Sequence, residues 1–366
     1  MAKVDPKLGG VRKEIDALDD KLFALLQKRA ALANKAGDIK RAQGVTEYAR
    51  IEREIEVRQR AIAARGVLSK ESMDAIYREI ISGCLALEKP QNICYLGPEY
   101  TFTHEAAKKH FGDAAEYKSA ATIREAVSMT EKEVCNFTIV PFENSNGGTV
   151  GETFDVLTDT SLEICGEIIL RIRHNLLTKN ELSPKIIKTI YAHPQAFEQC
   201  QEWLIHNVPE AKLVPLGSNA AAAQMVMERG DIGNEYPAAI ASMSAAEHYK
   251  LKALAKDIED SAFNTTRFLM LGRTIPRPSG NDKTSLIMTA HHESGALYHL
   301  LEPFSRLGIN MSKFESRPAR GKLGEYLFFV DIDGHKEDKK VVEALNEIHQ
   351  CAALLKVFGS YPKAVE

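Results

Sequence analysis

The chain has 366 residues, of which 44% are hydrophobic and 27% charged, and a net charge of −3. This is ordinary for a soluble globular protein of two or three domains and gives no reason to expect nucleic acid. No apolar run approaches the ~20 residues that cross a bilayer.

Charge is nonetheless uneven: the first 90 residues are net +4 and the rest net −7. A basic first segment suits a small anionic ligand at least as well as a polymer. The six cysteines (Cys84, Cys94, Cys135, Cys165, Cys200 and Cys351) form no CxxC pair and no zinc spacing. No metal is expected, and a reducing cytoplasm is the simplest compartment.

Between Val11 and Arg41 apolar residues recur at Val11, Ile15, Leu18, Leu22, Leu25, Leu32, Ala36 and Ile39. That four-three alternation predicts one long helix of a bundle. A second helix is expected over about 47–64, and a third after Ser69, an N-cap candidate. Three helices, the first very long, cannot bury this seam as one small monomer, so an intertwined dimer is expected.

From Ile93 the period changes. Short β runs at 93–96, 137–140, 187–192 and 268–271 alternate with helical stretches at 104–111, 122–131, 195–206, 219–229 and 236–248. This predicts an α/β domain with a mainly parallel sheet. Thr274 to Asp282 reads as a linker. The last 84 residues read as strand, helix, two strands, helix and strand, the ferredoxin-like α+β order.

Charged residues interrupt the helical seams. Arg29 fills a gap in the first, Lys40 returns to the same face eleven residues later, and Glu88 continues the third. A buried ion pair, or an arginine snorkelling out at a frayed end, would explain any one of them. Three on one core point to an anion pocket.

These positions, with "VRKEIDALDDKLFALLQKRAALANKAGDIK" and "IYREIISGCLALE", resemble the all-helical chorismate mutases. The resemblance implies a site that holds the reactive conformer of chorismate. Arg29 and Arg12 would bind its carboxylates, while Lys40 and Glu88 reach the ether oxygen where charge develops. Arg12 points about 100° away from Arg29 on the helix, so it would serve the partner subunit's site. Glu88 donates only when protonated, a form that burial favours. In the second helix the family's acid–Arg–Glu pattern is met by Glu47 and Arg50, but Ile51 takes the Glu position; a shifted register offers Arg53-Glu54 instead. Cys84 stands where a Ser or similar residue is common.

Four further segments, "YLGPEYTFTHEAA", "IVPFENSNGGTVGETFDVL", "IYAHPQAFEQC" and "NTTRFLML", each lie beside a predicted strand end. Singly they read as turns, a polar loop with a hinge, and a capped strand. Together they resemble prephenate dehydratase, which implies a two-lobed, periplasmic-binding-protein-like α/β domain that needs no cofactor. By that resemblance Thr266 contacts or protonates the departing hydroxyl, Arg267 pairs with a carboxylate, and Asn144, Glu143, Gln199 and Ser145 shape the site. Glu143 is a rival proton donor. Tyr100 replaces a usual Gly, so the first turn is expected to avoid a positive φ.

"SGALYHLLEPFSRLGINMSKFESRPARGKLGEYLFFVDIDGH" resembles the ACT module of these dehydratases. It implies an L-phenylalanine site formed by Gly295, Ala296 and Leu297 at a helix start and by Glu315, Ser316 and Arg317 at a strand end. Inhibition would follow from a shift in dimer geometry.

The expected organisation is therefore a mutase domain over 1–90, a dehydratase domain over 91–275 and a regulatory domain over 283–366. The protein would be a homo-oligomer, dimer or tetramer, with chorismate and prephenate as substrates. A non-catalytic amino-acid sensor, a dehydratase with a degenerate mutase and an arogenate dehydratase are the rivals. A fused mutase favours prephenate over arogenate.

Overall fold

The computed structural model describes residues 6–44, 50–181, 183–230, 236–318 and 326–364. It divides the chain into two compact units: Met1–Arg50 with Val57–Gln91 and Phe111–Glu116, and Ile51–Glu56 with Asn92–His110 and Tyr117–Glu366. Glu47 and the start of the expected second helix lie outside the described residues.

The first unit is built on α1 (Pro6–Ala42), most of α2 (Ile51–Ala63) and α3 (Lys70–Glu88). Ser69 caps α3, its hydroxyl accepting the Ser72 N–H at 3.1 Å. Helix α1 packs on α3 through Gly37, where an added Cβ would stand 3.0 Å from the Glu88 Cα. Arg58 joins α2 to α3 by a two-pronged bond to Asp74, each prong 2.7 Å. The apolar seam of α1 stays open: Leu18, Leu22, Leu25 and Leu32 are 57%, 54%, 63% and 61% exposed.

The second unit opens with β1 (Asn92–Leu96), α4 (Phe102–Phe111), β2 (Glu116–Ala120), α5 (Ile123–Glu131), β3 (Phe137–Asn144), β4 (Gly148–Thr149), α6 (Gly151–Asp159) and β5 (Glu163–Arg171). A crossover leads to the second lobe: β6 (Asn175–Thr178), β7 (Thr189–Ala192), α7 (Pro194–Gln199), α8 (Gln201–Asn207), β8 (Lys212–Pro215), α9 (Asn219–Arg229), β9 (Pro237–Ala241), α10 (Met243–Tyr249) and β10 (Lys252–Ala255). A second crossover returns the chain to the first lobe as β11 (Thr265–Gly272).

The strand orders are β2-β1-β3-β11-β5 and β10-β6-β9-β7-β8. Both sheets are mixed rather than mainly parallel. The returning β11 enters between β3 and β5 and runs antiparallel to both, and β6 is antiparallel to β9 and β10. The stretch 236–248 is not one helix. Its first part is β9, every residue of which is buried, and Ser242 then caps α10. Alanine favours helix only as a weak prior, and the sheet interior overrides it.

The chain ends with β12 (Asp282–Ala290), α11 (Ala296–Arg306), β13 (Met311–Pro318), β14 (Tyr326–Asp333), α12 (Lys339–Cys351) and β15 (Ala352–Pro362). The order is β13-β14-β12-β15 with antiparallel pairing throughout, the ferredoxin-like arrangement. One face of this sheet is covered by α11 and α12 through Leu300, Phe304, Val341 and Ile348. The other packs on the first-lobe sheet, where Ile287, Phe329 and Phe358 meet Phe142, Phe154 and Leu269.

Candidate functional site

In the helical unit Gly37 lets α1 and α3 approach closely, and the residue one turn on, Lys40, reaches Glu88. The ammonium stands 2.6 Å from the carboxylate, with the two side chains 23% and 14% exposed. Glu88 is here the acceptor of an ion pair. Arg29, half-buried on the same helix, donates to the Ile80 carbonyl of α3 at 3.2 Å. Arg41, which sequence reasoning did not single out, donates to the Glu88 carbonyl at 2.6 Å. Cys84 lies half-buried on α3, and Arg12 and Arg50 are exposed. Arg53, on the part of α2 that belongs to the second unit, pairs with Glu56 at 2.6 Å.

Between the lobes of the second unit lies a cavity of about 520 Å³. Asn144 and Thr266 reach it from neighbouring strands, where they are direct partners across the β3–β11 ladder. A bulge makes this possible: Arg267 pairs with Glu143 while Phe268 pairs with Pro141, so Phe142 is skipped. Pro141 and Asn144 therefore face the cavity, and Phe142 and Glu143 both face the C-terminal sheet.

The polar lining forms a closed ring. The Asn144 side-chain oxygen accepts the backbone N–H groups of Asn146 and Gly147 at 3.0 and 2.9 Å. Its amide nitrogen donates to Asn264 and to the Thr266 hydroxyl oxygen, both at 2.9 Å. Gln199 donates to Asn144 at 3.3 Å, and its oxygen accepts from Asn264 at 3.0 Å and meets His174 Nε2 at 2.7 Å. Burial holds the His174 imidazole below its usual range, so it is neutral near pH 7.

No Lys or Arg is among the described residues lining the cavity; Glu152 is its one acid. Anion-attracting groups come instead from helix starts. First-turn or capping residues of α4 (Phe102, Thr103), α6 (Val150) and α9 (Ser218, Asn219) open onto it, and such termini carry partial positive charge.

Three expected site residues, two for substrate binding and one as a rival proton donor, stand elsewhere. Arg267 points away from the cavity, because consecutive strand residues face opposite sides. It is buried against the C-terminal sheet, 2.5 Å from Asp331, 2.8 Å from the Tyr361 hydroxyl and 2.7 Å from Glu167. Glu143 lies on that side too, 2.9 Å from Lys313. Ser145 bonds the Phe263 carbonyl and the Thr265 N–H, each at 3.1 Å, and so ties the ends of β3 and β11. Tyr100 does adopt a positive φ of 64°. Its backbone N–H donates to His104 Nδ1 at 3.0 Å, and its ring stacks on His248 at 3.8 Å, a contact a glycine could not make. Sequence reasoning missed His174 and Asn219 and gave Asn264, which opens the segment NTTRFLML, no role of its own; the Ser218-Asn219 capping signature before α9 was legible.

At the C-terminal domain Gly295 has φ 82° and precedes α11, with Ala296 buried and Leu297 half-buried in its first turn. Ser316 is exposed. Glu315 accepts a very short bond from Thr149 and is held by Arg317 at 2.9 Å and Lys313 at 3.2 Å. Burial works against its charge, but those three donors outweigh it and hold the carboxyl below its usual range. Arg317 also lies over the Phe154 ring at 4.8 Å. Thr149 itself lines the cavity.

Three family models match the chain: chorismate mutase type II over residues 11–89, prephenate dehydratase over 93–276 and ACT domain over 284–350. A bifunctional chorismate mutase/prephenate dehydratase of Neisseria gonorrhoeae is 43% identical over 363 residues, 99% of each chain. Among solved structures, the prephenate dehydratase of Arthrobacter aurescens in complex with L-Phe has a TM-score of 0.67 and 32% identity. The match covers 74% of this chain and 89% of that one. A structure described as GqqA, a quorum quenching acylase, has the same TM-score at 27% identity, covering 75% and 98%.

Proposed function

This chain belongs to the bifunctional chorismate mutase/prephenate dehydratase family, and on that premise we propose how its residues divide the work. The helical segment, residues 1–90, rearranges chorismate to prephenate. Lys40 and Glu88 serve the ether oxygen, and Arg29 a carboxylate. Arg12 serves the site of a second copy, with Arg50 or Arg53 and Cys84 contributing to the pocket. The open apolar seam of α1 supports a homodimer in which that copy covers it.

Residues 91–275 convert prephenate to phenylpyruvate. The ring carboxylate leaves as CO2, and its bonding electrons aromatise the ring and expel the hydroxyl, which takes a proton and leaves as water. The observation that carries this reading is the hydrogen-bonded chain of Gln199, Asn144 and Thr266 in an interlobar cavity. Asn144 donates to Thr266, so the Thr266 hydrogen is left to point at the departing oxygen. The carboxylates lie against helix starts instead of Arg267.

Residues 283–366 bind L-phenylalanine and restrain the dehydratase. Support comes from the Glu315 and Arg317 contacts to Thr149 of the cavity wall. Six thiols with no disulfide among them fit a cytoplasmic enzyme.

Purified protein is given chorismate alone and prephenate alone, with and without L-phenylalanine, and phenylpyruvate is followed. Product from both substrates, suppressed by phenylalanine, is the expected result. Product from prephenate only would mark a degenerate mutase. A Thr266→Val protein that keeps full dehydratase activity would remove Thr266 from the chemistry.

A further inference from the structure

The direction of every bond in the cavity ring can be worked out from its backbone members. Backbone N–H groups only donate, so those of Asn146 and Gly147 fix which end of Asn144 is oxygen. Gln199 must then turn its nitrogen toward that oxygen, which leaves its own oxygen facing Asn264 and His174. His174 Nε2 must carry the hydrogen. At the other end, Thr266 must accept from Asn144.

His174 is 1% exposed, and Nδ1 is buried with no partner. It sits on the crossover from β5 to β6, and Asn264 on the crossover back to β11. Gln199 and Asn144 come from opposite lobes. The ring of Asn144, Asn264 and Gln199 therefore joins both lobes and the returning crossover, and the Nε2–H of His174 ties the outgoing crossover to it through Gln199.

We propose that His174 is a positioning residue of the dehydratase. Its Nε2–H fixes the amide of Gln199, and through Gln199, Asn264 and Asn144 it keeps the Thr266 hydroxyl turned outward as a donor. Without that hydrogen, Gln199 is held only through Asn264 and Asn144, its grip on the Asn144 oxygen slackens, and the Asn144 amide that aims the Thr266 hydroxyl is no longer held in place. The helix starts that hold the carboxylates are untouched, so kcat falls and KM does not. This inference rests on Thr266 being the donor.

The test compares His174→Gln, whose amide nitrogen can occupy the place of Nε2, with His174→Asn, whose amide stops short of Gln199. In the full-length protein, His174→Asn should lower kcat for prephenate about 10- to 100-fold, the share of a general acid that misorientation removes. KM should hold within about threefold, and the mutase rate, read on chorismate, should not change. His174→Gln should recover most of kcat. Nitrogen NMR of the imidazole should show a protonated Nε2 and a bare Nδ1. Equal loss in both variants, wild-type kcat in His174→Asn, or a hydrogen on Nδ1 overturns the proposal. If Thr266→Val is inactive while His174→Asn is not, only the role of His174 fails. If Thr266→Val is fully active, the donor reading fails and takes this one with it.

Discussion

Arg267 is a buried polar anchor between the C-terminal sheet and the first lobe, and removing its main counter-charge should be costly. The buried cluster holds two cations, Arg267 and Lys283, against two carboxylates, Glu167 and Asp331, with Asp331 fully buried. Tyr361 stays neutral, since burial raises its hydroxyl well above the usual range. Ser285 donates to Asp331 at 2.5 Å and bonds Tyr361 at 2.6 Å. Asp331→Asn keeps the volume but leaves one positive charge uncompensated. Breaking a buried pair in this way costs about 3–5 kcal/mol, or a fall in Tm on the order of 6–10 °C at ~2 °C per kcal/mol. A calorimetric melt of the full-length protein measures it. The double variant Arg267→Met with Asp331→Asn leaves Lys283 balanced by Glu167. It should therefore melt above Asp331→Asn alone, although it lacks more hydrogen bonds. A single variant within about 1 kcal/mol of the parent, or a double variant less stable than the single, would refute the charge-balance argument.

Three further outcomes are expected. Gly37→Ala pushes a methyl onto the Glu88 backbone, parts α1 from α3 and should cut the mutase rate at least about tenfold; the dehydratase rate on added prephenate is the control. Leu22→Glu with Leu25→Glu charges the open seam and should leave a monomer by light scattering, with mutase activity lost. Stability should fall on acidification in two windows. The folded imidazole of His174 is held below 6.5 by burial, so protons bind the unfolded chain first and stability drops once pH falls below 6.5. Glu167 opposes burial with the charges of Arg267 and Lys283 and lies below 4.5 in the folded state, as does Glu315. Their stabilisation is complete above 4.5 and is lost as pH falls through the lower folded values. Glu167→Gln should flatten the second window in melts between pH 6 and 3.

Much of the architecture was legible in the residues themselves. The four-three seam of α1, the Ser69 cap and the βαββαβ run are local patterns, and local patterns survive folding when one face is plainly apolar. The same seam announced that three helices were not enough, and Leu22 and Leu25 are indeed exposed. Lys40 and Glu88, placed on one core by helical arithmetic, meet at 2.6 Å. Thr266, Asn144 and Gln199 were named from short motifs and share one cavity.

What the sequence could not decide was side and partner. Thr266 and Arg267 are neighbours in one motif, yet strand alternation sends one to the cavity and the other to the C-terminal sheet. Glu143 and Asn144 part in the same way, and there the side depends on a bulge that no residue of the motif announces. His174 lies in no motif, and Asn264 opens one that gave no hint of its partners, because their roles come from two crossovers that lie 90 residues apart in sequence and meet only when the lobes are assembled. Residue types set which chemistry the chain can perform. Which groups face a common space follows from strand register and chain crossings, and those belong to the tertiary structure alone.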